Sequence, residues 1–168
     1  MRVLVSDSSV LLEMAKRGLL PAMFQLPFEF VVPDLLFEEE LIDLGEYSRG
    51  DLRSFGLQVE GLDPVGVTTA LSYQARRRRL SLVDCFALAL ASRRGYRLLT
   101  GDKAMRSFAE TEAIKVNGVL WLVDEMIAAS VVATTAILAA LIAMRDDPRC
   151  HLPLQELTCR IDQLSGQS

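Results

Sequence analysis

The feature that most constrains this chain is a local pattern that recurs along it. A short β-branched or aliphatic run is followed by capping residues and then by a helix with apolar periodicity. Arg2-Val3-Leu4-Val5-Ser6 reads as a strand buried in a sheet. Asp7-Ser8-Ser9 follows, three helix-capping residue types ahead of a stretch running through Met14 and Ala15. Phe28 to Val32 repeats the strand signal, and Pro33-Asp34 stops it and opens a helix carrying Leu35, Leu36, Glu39 and Ile42. Tyr96 to Thr100 forms a further strand, turned by Gly101-Asp102 into another helix, and Ala113 to Val116 supplies the last strand. Alternating strand and helix predicts an α/β fold: a three-layer sandwich with a central parallel sheet, plus C-terminal helices. In such sheets ligands bind beyond the carboxyl ends of the strands, so residues just after each strand are the first candidates for function.

Between these units, Gly45 to Gly56 is polar and predicts a turn or a short helical excursion, and Leu57 to Glu60 a minor strand. A helix over Val67 to Arg79 ends in four consecutive arginines. Ser81-Leu82-Val83-Asp84 opens a helix from Cys85 to Arg94, closed by Gly95. Beyond the last strand everything reads as helix. The expectation is a single domain over residues 1–168, with 127–168 a helical C-terminal extension.

The 18 basic and 22 acidic residues leave a net charge of -4, which disfavours a generic polycation coating nucleic acid. Any such role must rest on a local patch or on bound metal. Only Lys16, Lys103 and Lys115 are lysines, and the other basic residues are arginine, the planar phosphate-matching donor. Cys85, Cys150 and Cys159 have no CxxC or zinc-like spacing and read as reduced thiols. With no signal-peptide pattern, they point to a cytoplasmic protein. The uncharged run Ile127 to Met144 approaches membrane-spanning length, but it is Ala-rich and interrupted by Ser130, Thr134 and Thr135. A helix starting at Thr134 or Thr135 would split it, so no membrane span is expected. The chain has no Gly-rich phosphate loop, which disfavours nucleotide-binding enzymes. The one histidine, His151, lies outside the motif region and suggests no acid–base or zinc chemistry.

Four acids can reach the same sheet edge. Asp7 and Asp102 follow strands, Asp84 sits in the first turn of a helix, and Glu39 lies about one turn into the helix after Pro33. Carboxylates gathered without cations repel, and a divalent cation removes the conflict. An all-oxygen set suits Mg²⁺ or Mn²⁺ rather than zinc. Each acid also has a plain structural reading. Asp84 fits a Ser-x-x-Asp capping box, Asp7 and Asp102 can cap helices, and of Glu38, Glu39 and Glu40 two face solvent.

From about Arg2 to about Asp124 the chain resembles a PIN domain. The matching residues are a strand then Asp7-Ser8-Ser9, Val32-Pro33 leading to a helix with Glu39, Leu80-Ser81-Leu82-Val83-Asp84 with its Ala/Leu-rich helix, and Tyr96-Arg97-Leu98-Leu99-Thr100-Gly101-Asp102. Lys115-Val116-Asn117-Gly118-Val119-Leu120-Trp121 resembles PIN proteins of the prokaryotic toxin-antitoxin (VapC-like) type. The resemblance implies an Mg²⁺- or Mn²⁺-dependent endoribonuclease, with Asp7, Glu39, Asp84 and Asp102 matching the family's four acids. Asp7 and Asp102 would be primary ligands, Asp84 a ligand directly or through water, and Glu39 a second ligand or a water-orienting group. Sliding by one residue selects Glu38 or Glu40 instead. A further acid that some members carry after the last one is absent here, where Lys103, Ala104 and Met105 follow. Ser8 and Thr100 either hold the metal's water shell or a phosphate, or serve as cap and strand-end residues. The implied partners are RNA as substrate, a cognate antitoxin protein and a second copy in a homodimer. A catalytically inactive PIN-like module that binds RNA or protein is the alternative. Arg76-Arg77-Arg78-Arg79 could contact substrate phosphates, bind a partner, or simply be a solvated helix end.

Overall fold

A computed structural model describes residues 1–166. Its centre is a sheet of five parallel strands in the order β3-β2-β1-β4-β5. These are β1 (Arg2–Ser6), β2 (Phe28–Pro33), β3 (Gln58–Glu60), β4 (Arg97–Leu99) and β5 (Val116–Asn117). Among the described residues ten helices join and follow them: α1 (Ser8–Lys16), α2 (Leu20–Met23), α3 (Asp34–Glu39), α4 (Arg49–Phe55), α5 (Pro64–Arg76), α6 (Leu82–Arg94), α7 (Lys103–Thr111), α8 (Val119–Ala129), α9 (Thr134–Asp146) and α10 (Leu154–Ser165). The expected three-layer α/β architecture with a central parallel sheet is the observed one.

The alternation of side chains along the strands builds a core on each face. Leu4, Phe30, Val32 and Leu99 face one way, meeting Val10 and Met14 of α1, Met23 of α2, Val123 of α8 and Leu141 of α9. Val5, Val31 and Leu98 face the other, meeting Tyr73 of α5, Leu88 of α6 and Phe108 of α7. Both faces of a parallel sheet must be covered, which is why the central strands read as unbroken apolar runs.

Most element boundaries follow the local chemistry. Gly95 ends α6 in the left-handed conformation at φ 67°, which costs a glycine nothing. Thr134 starts a new helix and splits the long apolar run, and among the described residues no helix is long and apolar enough to cross a membrane. Several boundaries differ from the sequence expectation, and three of them move a named residue or strand. α3 stops at Glu39, leaving Ile42 outside the helix and 73% exposed. α5 stops at Arg76, so Arg77, Arg78 and Arg79 form an exposed loop rather than a helix end. The last strand is shifted to Val116–Asn117, because α7 runs to Thr111 and Ala113 takes a positive φ of 57° before the chain can extend.

The apolar surface of the C-terminal helices is largely spent within the chain. Ile137, Ala140, Leu141 and Met144 of α9 and Leu157, Ile161 and Leu164 of α10 join the same core as α1 and α8.

Candidate active site

The adjacent carboxyl ends of β1 and β4 create the site. Ser6 lies opposite Leu99, and the Asp7 amide donates to the Leu99 carbonyl at 2.9 Å. Asp7 and Thr100 therefore leave the sheet side by side, although 93 residues separate them in sequence. Thr100 is fully buried there. Its hydroxyl donates to Asp7 Oδ2 at 3.0 Å and accepts from the Asp102 amide at 3.0 Å. Ser9 donates to the same Asp7 oxygen at 2.7 Å. Asp7 is 5% exposed. Burial pushes its carboxyl above the ordinary carboxylate range; the hydroxyls of Ser9 and Thr100 pull it back, and the charge of Asp84 pushes it further up.

Asp84 and Asp102 are each committed through one oxygen to a helix cap. Asp84 Oδ2 accepts from the Ser81 amide at 3.0 Å while Ser81 caps the Asp84 amide in return, completing the capping box that opens α6. Asp102 Oδ1 accepts from the Met105 amide at 2.9 Å and caps α7. In both residues the second oxygen is left over. The capping and ligand readings of these acids are thus compatible rather than competing.

Of the three consecutive glutamates, the structure brings Glu40 to the other acids. It follows the end of α3, half-buried, and its Oε2 accepts from Ser8 Oγ at 3.1 Å. Its Oε1 is buried with no hydrogen-bond partner. Burial raises the Glu40 carboxyl above its usual range, and the charges of Asp7, Asp84 and Glu39 raise it further against the Ser8 hydrogen bond. Glu39 is exposed and makes no hydrogen bond or ion pair among the described residues. Glu38 pairs loosely with Arg49 at 3.8 Å. Asp7, Asp84 and Glu40 thus lie in one another's fields, and Asp102 joins them through Thr100.

A cavity of about 250 Å³ opens beside Asp7 and Asp102, and its far wall comes from the segment between α9 and α10. Arg149, Cys150, His151 and Leu152 line it. That segment is fastened to α1 at its base: Asp147 Oδ2 accepts from Lys16 at 2.6 Å and from Arg17 at 2.8 Å, and Asp147 Oδ1 accepts from the Arg149 amide at 2.9 Å. His151, set aside on sequence grounds, is therefore a wall residue of the site, and nothing in its local sequence signals that placement. Arg76, by contrast, is held elsewhere. It pairs with Glu112 and lies over the rings of Phe108 and Tyr73, at the opposite end of α7 from Asp102. Ten residues of helix put those ends about 15 Å apart.

Among the described residues, no group of three His, Cys, Asp or Glu side chains is arranged so as to hold a metal ion. The donor set nevertheless fits a hard divalent cation. It is all carboxylate and hydroxyl oxygen, two of its acids are raised by burial and like charge, and Glu40 Oε1 is a buried acceptor lacking a donor.

No curated protein matches the chain. Among solved structures it is similar to a PilT N-terminus domain protein, SSO1118, from the archaeon Sulfolobus solfataricus P2. The two are 15% identical, with a TM-score of 0.45, over 76% of this chain and 92% of the other. A family model described as PIN domain matches residues 3–165, nearly the whole length. With that match added to a five-stranded parallel sheet whose carboxyl edge gathers acids, the chain belongs to the PIN-domain family, a nuclease fold.

Proposed function

We propose that this protein is a metal-dependent endoribonuclease that hydrolyses RNA phosphodiesters, the toxin component of a type II toxin-antitoxin pair. The observation that carries the enzymatic reading is the state of the acids. Asp7 and Glu40 are held above their ordinary pKa by burial and by neighbouring carboxylates, with an unpartnered oxygen on Glu40. Such an arrangement is costly alone and becomes favourable around a cation.

Mg²⁺ or Mn²⁺ would be held by Asp7, Asp84 and Asp102, with Glu40 in place of the expected Glu39. When bound, the ion lowers the pKa of a water and neutralises charge on the phosphoryl oxygens. The protein's own residues supply the orientation. The hydroxyls of Ser9 and Thr100 fix the Asp7 carboxylate. Helix caps fix Asp84 and Asp102, each with one oxygen spare. Glu40 Oε1, the oxygen that Ser8 leaves free, would serve either as a ligand or as the group that orients a water. The toxin role rests on the resemblance of residues 115–121, while the cognate antitoxin and a homodimer follow from the family resemblance of the chain and its C-terminal helices; all three belong to the same proposal.

The test is cleavage of end-labelled single-stranded RNA by purified protein in Mn²⁺, Mg²⁺ or EDTA. Cutting is expected with either ion, with none in EDTA. Asp84→Asn and Glu40→Gln lose at least about a hundredfold, the scale of removing a charge-positioning group, while Glu39→Gln keeps near-wild-type activity. Cleavage that survives EDTA or Asp84→Asn refutes the reading. Loss in Glu39→Gln rather than Glu40→Gln returns the ligand to Glu39.

A further inference from the structure

A second cavity, about 520 Å³, continues from the acid site along α7 and α8. The two share Gly101, Val119, His151 and Leu152, so they form one continuous groove. Its character changes along its length. Beside Asp7 and Asp102 it is acidic; beyond His151 it is bordered by Lys103 and Arg106 of α7, with Val119, Trp121 and Leu152 as an apolar floor. Opposite, Arg160 is locked to Asp124 by two hydrogen bonds of 2.8 and 2.7 Å, which neutralises that pair, and Glu156 is the remaining acid on the rim.

Lys103 and Arg106 differ from Arg160 in having no hydrogen-bond or ion-pair partner among the described residues. Arg106 is nevertheless placed. A Cβ at Gly118 would stand 2.7 Å from Arg106 Nη2. Gly118 has φ -117° and ψ -175°, extended backbone that any residue adopts, so its own conformation does not call for glycine. The missing side chain instead lets the guanidinium lie close over the backbone at the groove. A half-buried, unpaired guanidinium beside an apolar floor matches a phosphate followed by a base. It also supplies the local patch that a chain of net charge -4 needs to hold nucleic acid.

We propose that this groove carries a single strand of RNA away from the acid site, with Arg106 and Lys103 on backbone phosphates flanking the reacting one and a base against Trp121 and Leu152. The proposal rests on the endoribonuclease reading, and its test is binding rather than cleavage so that the two can fail separately. Fluorescence anisotropy of a short fluorescein-labelled single-stranded oligoribonucleotide is measured in EDTA over a range of salt. Arg106→Ala is expected to weaken binding about tenfold, the scale of a charge-assisted hydrogen bond, and to lower the salt slope by about 0.7. Gly118→Ala leaves the charge in place and displaces the guanidinium; a flexible side-chain end yields cheaply, so the fold is kept and binding weakens in the same direction. Arg106→Lys recovers part of the affinity, and Arg76→Ala, held at the far end of α7, leaves binding unchanged. Wild-type affinity in both Arg106→Ala and Gly118→Ala overturns the proposal even if RNA is cut, and would suit an acidic peptide as occupant instead. Failure of the wild-type protein to bind in EDTA overturns it as well, because these cations do not need the metal. Binding lost in Arg106→Ala with no cleavage by any form would keep the groove and remove the nuclease.

Discussion

Thr100 is the residue on which the site's geometry converges, and replacing it by valine isolates that role. The substitution keeps the β-branched shape in a fully buried position, so packing changes little. It removes the hydroxyl that donates to Asp7 Oδ2 and accepts from the Asp102 amide. The first loss is a hydrogen bond to an ionisable acid, about 1.5–3 kcal/mol, and the second leaves an amide without its partner, about 1 kcal/mol or more. The sum is about 2.5–4 kcal/mol. For a chain of this size that lowers Tm by roughly 5–16 °C. It also removes one of the groups restraining the Asp7 carboxyl, so the acidic limb of the cleavage profile expected under the proposed function moves to higher pH. Thr100→Ser retains the hydroxyl and should stay close to wild type in both measurements. Urea unfolding of the three proteins in EDTA, with cleavage against pH in Mn²⁺, reads both effects. A Thr100→Val protein within about 0.5 kcal/mol of wild type, the scatter of a neutral substitution, and with an unshifted profile, would refute the reasoning.

The metal-free protein should lose stability as pH rises from about 4 toward neutrality. Asp7 and Glu40 have raised folded-state pKa values, so in that window the native state holds more protons than the unfolded chain and the slope is negative. Asp147 works in the opposite sense: Lys16, the Arg149 amide and Arg17 hold its carboxyl well below the usual range, so its contribution is present at neutral pH and fades on acidification. Denaturant midpoints against pH, with and without Mn²⁺, test this; a midpoint that climbs steadily through the window in EDTA contradicts it. Asp147→Ala should loosen the segment carrying Arg149 to Leu152 without unfolding the domain. Hydrogen exchange at those amides would quicken and cleavage would drop several-fold, whereas unchanged exchange would detach that segment from the Asp147 anchor.

The strand–helix alternation was legible because each strand's exit carries its own local signal, a cap or a turn residue, and these also mark Asp7, Asp84 and Asp102. What stayed illegible has physical reasons. Glu39 lies one turn into the helix after Pro33, but α3 ends there, so periodicity no longer governs Glu40 and its half-buried position depends on Ser8, 32 residues away. The arginine run reads as one feature, yet Arg76 belongs to the packing of α5 against α7 while Arg77–Arg79 lie in a loop. The wall containing His151 is invisible locally, since Asp147 is held there by Lys16 and Arg17 from the other end of the chain.

The strand order has a temporal consequence for synthesis. β1 is made first yet occupies the middle of the sheet, and its second neighbour, β4, begins at Arg97. Thr100 emerges 93 residues after Asp7, a delay of about 5–19 s at ordinary elongation rates. The wall at Arg149–Leu152 arrives later still. Until then Asp7 has no Thr100 hydroxyl to orient it, and the nascent chain lacks the edge on which its acids converge. An acid edge assembled this way is complete only once most of the domain has left the tunnel.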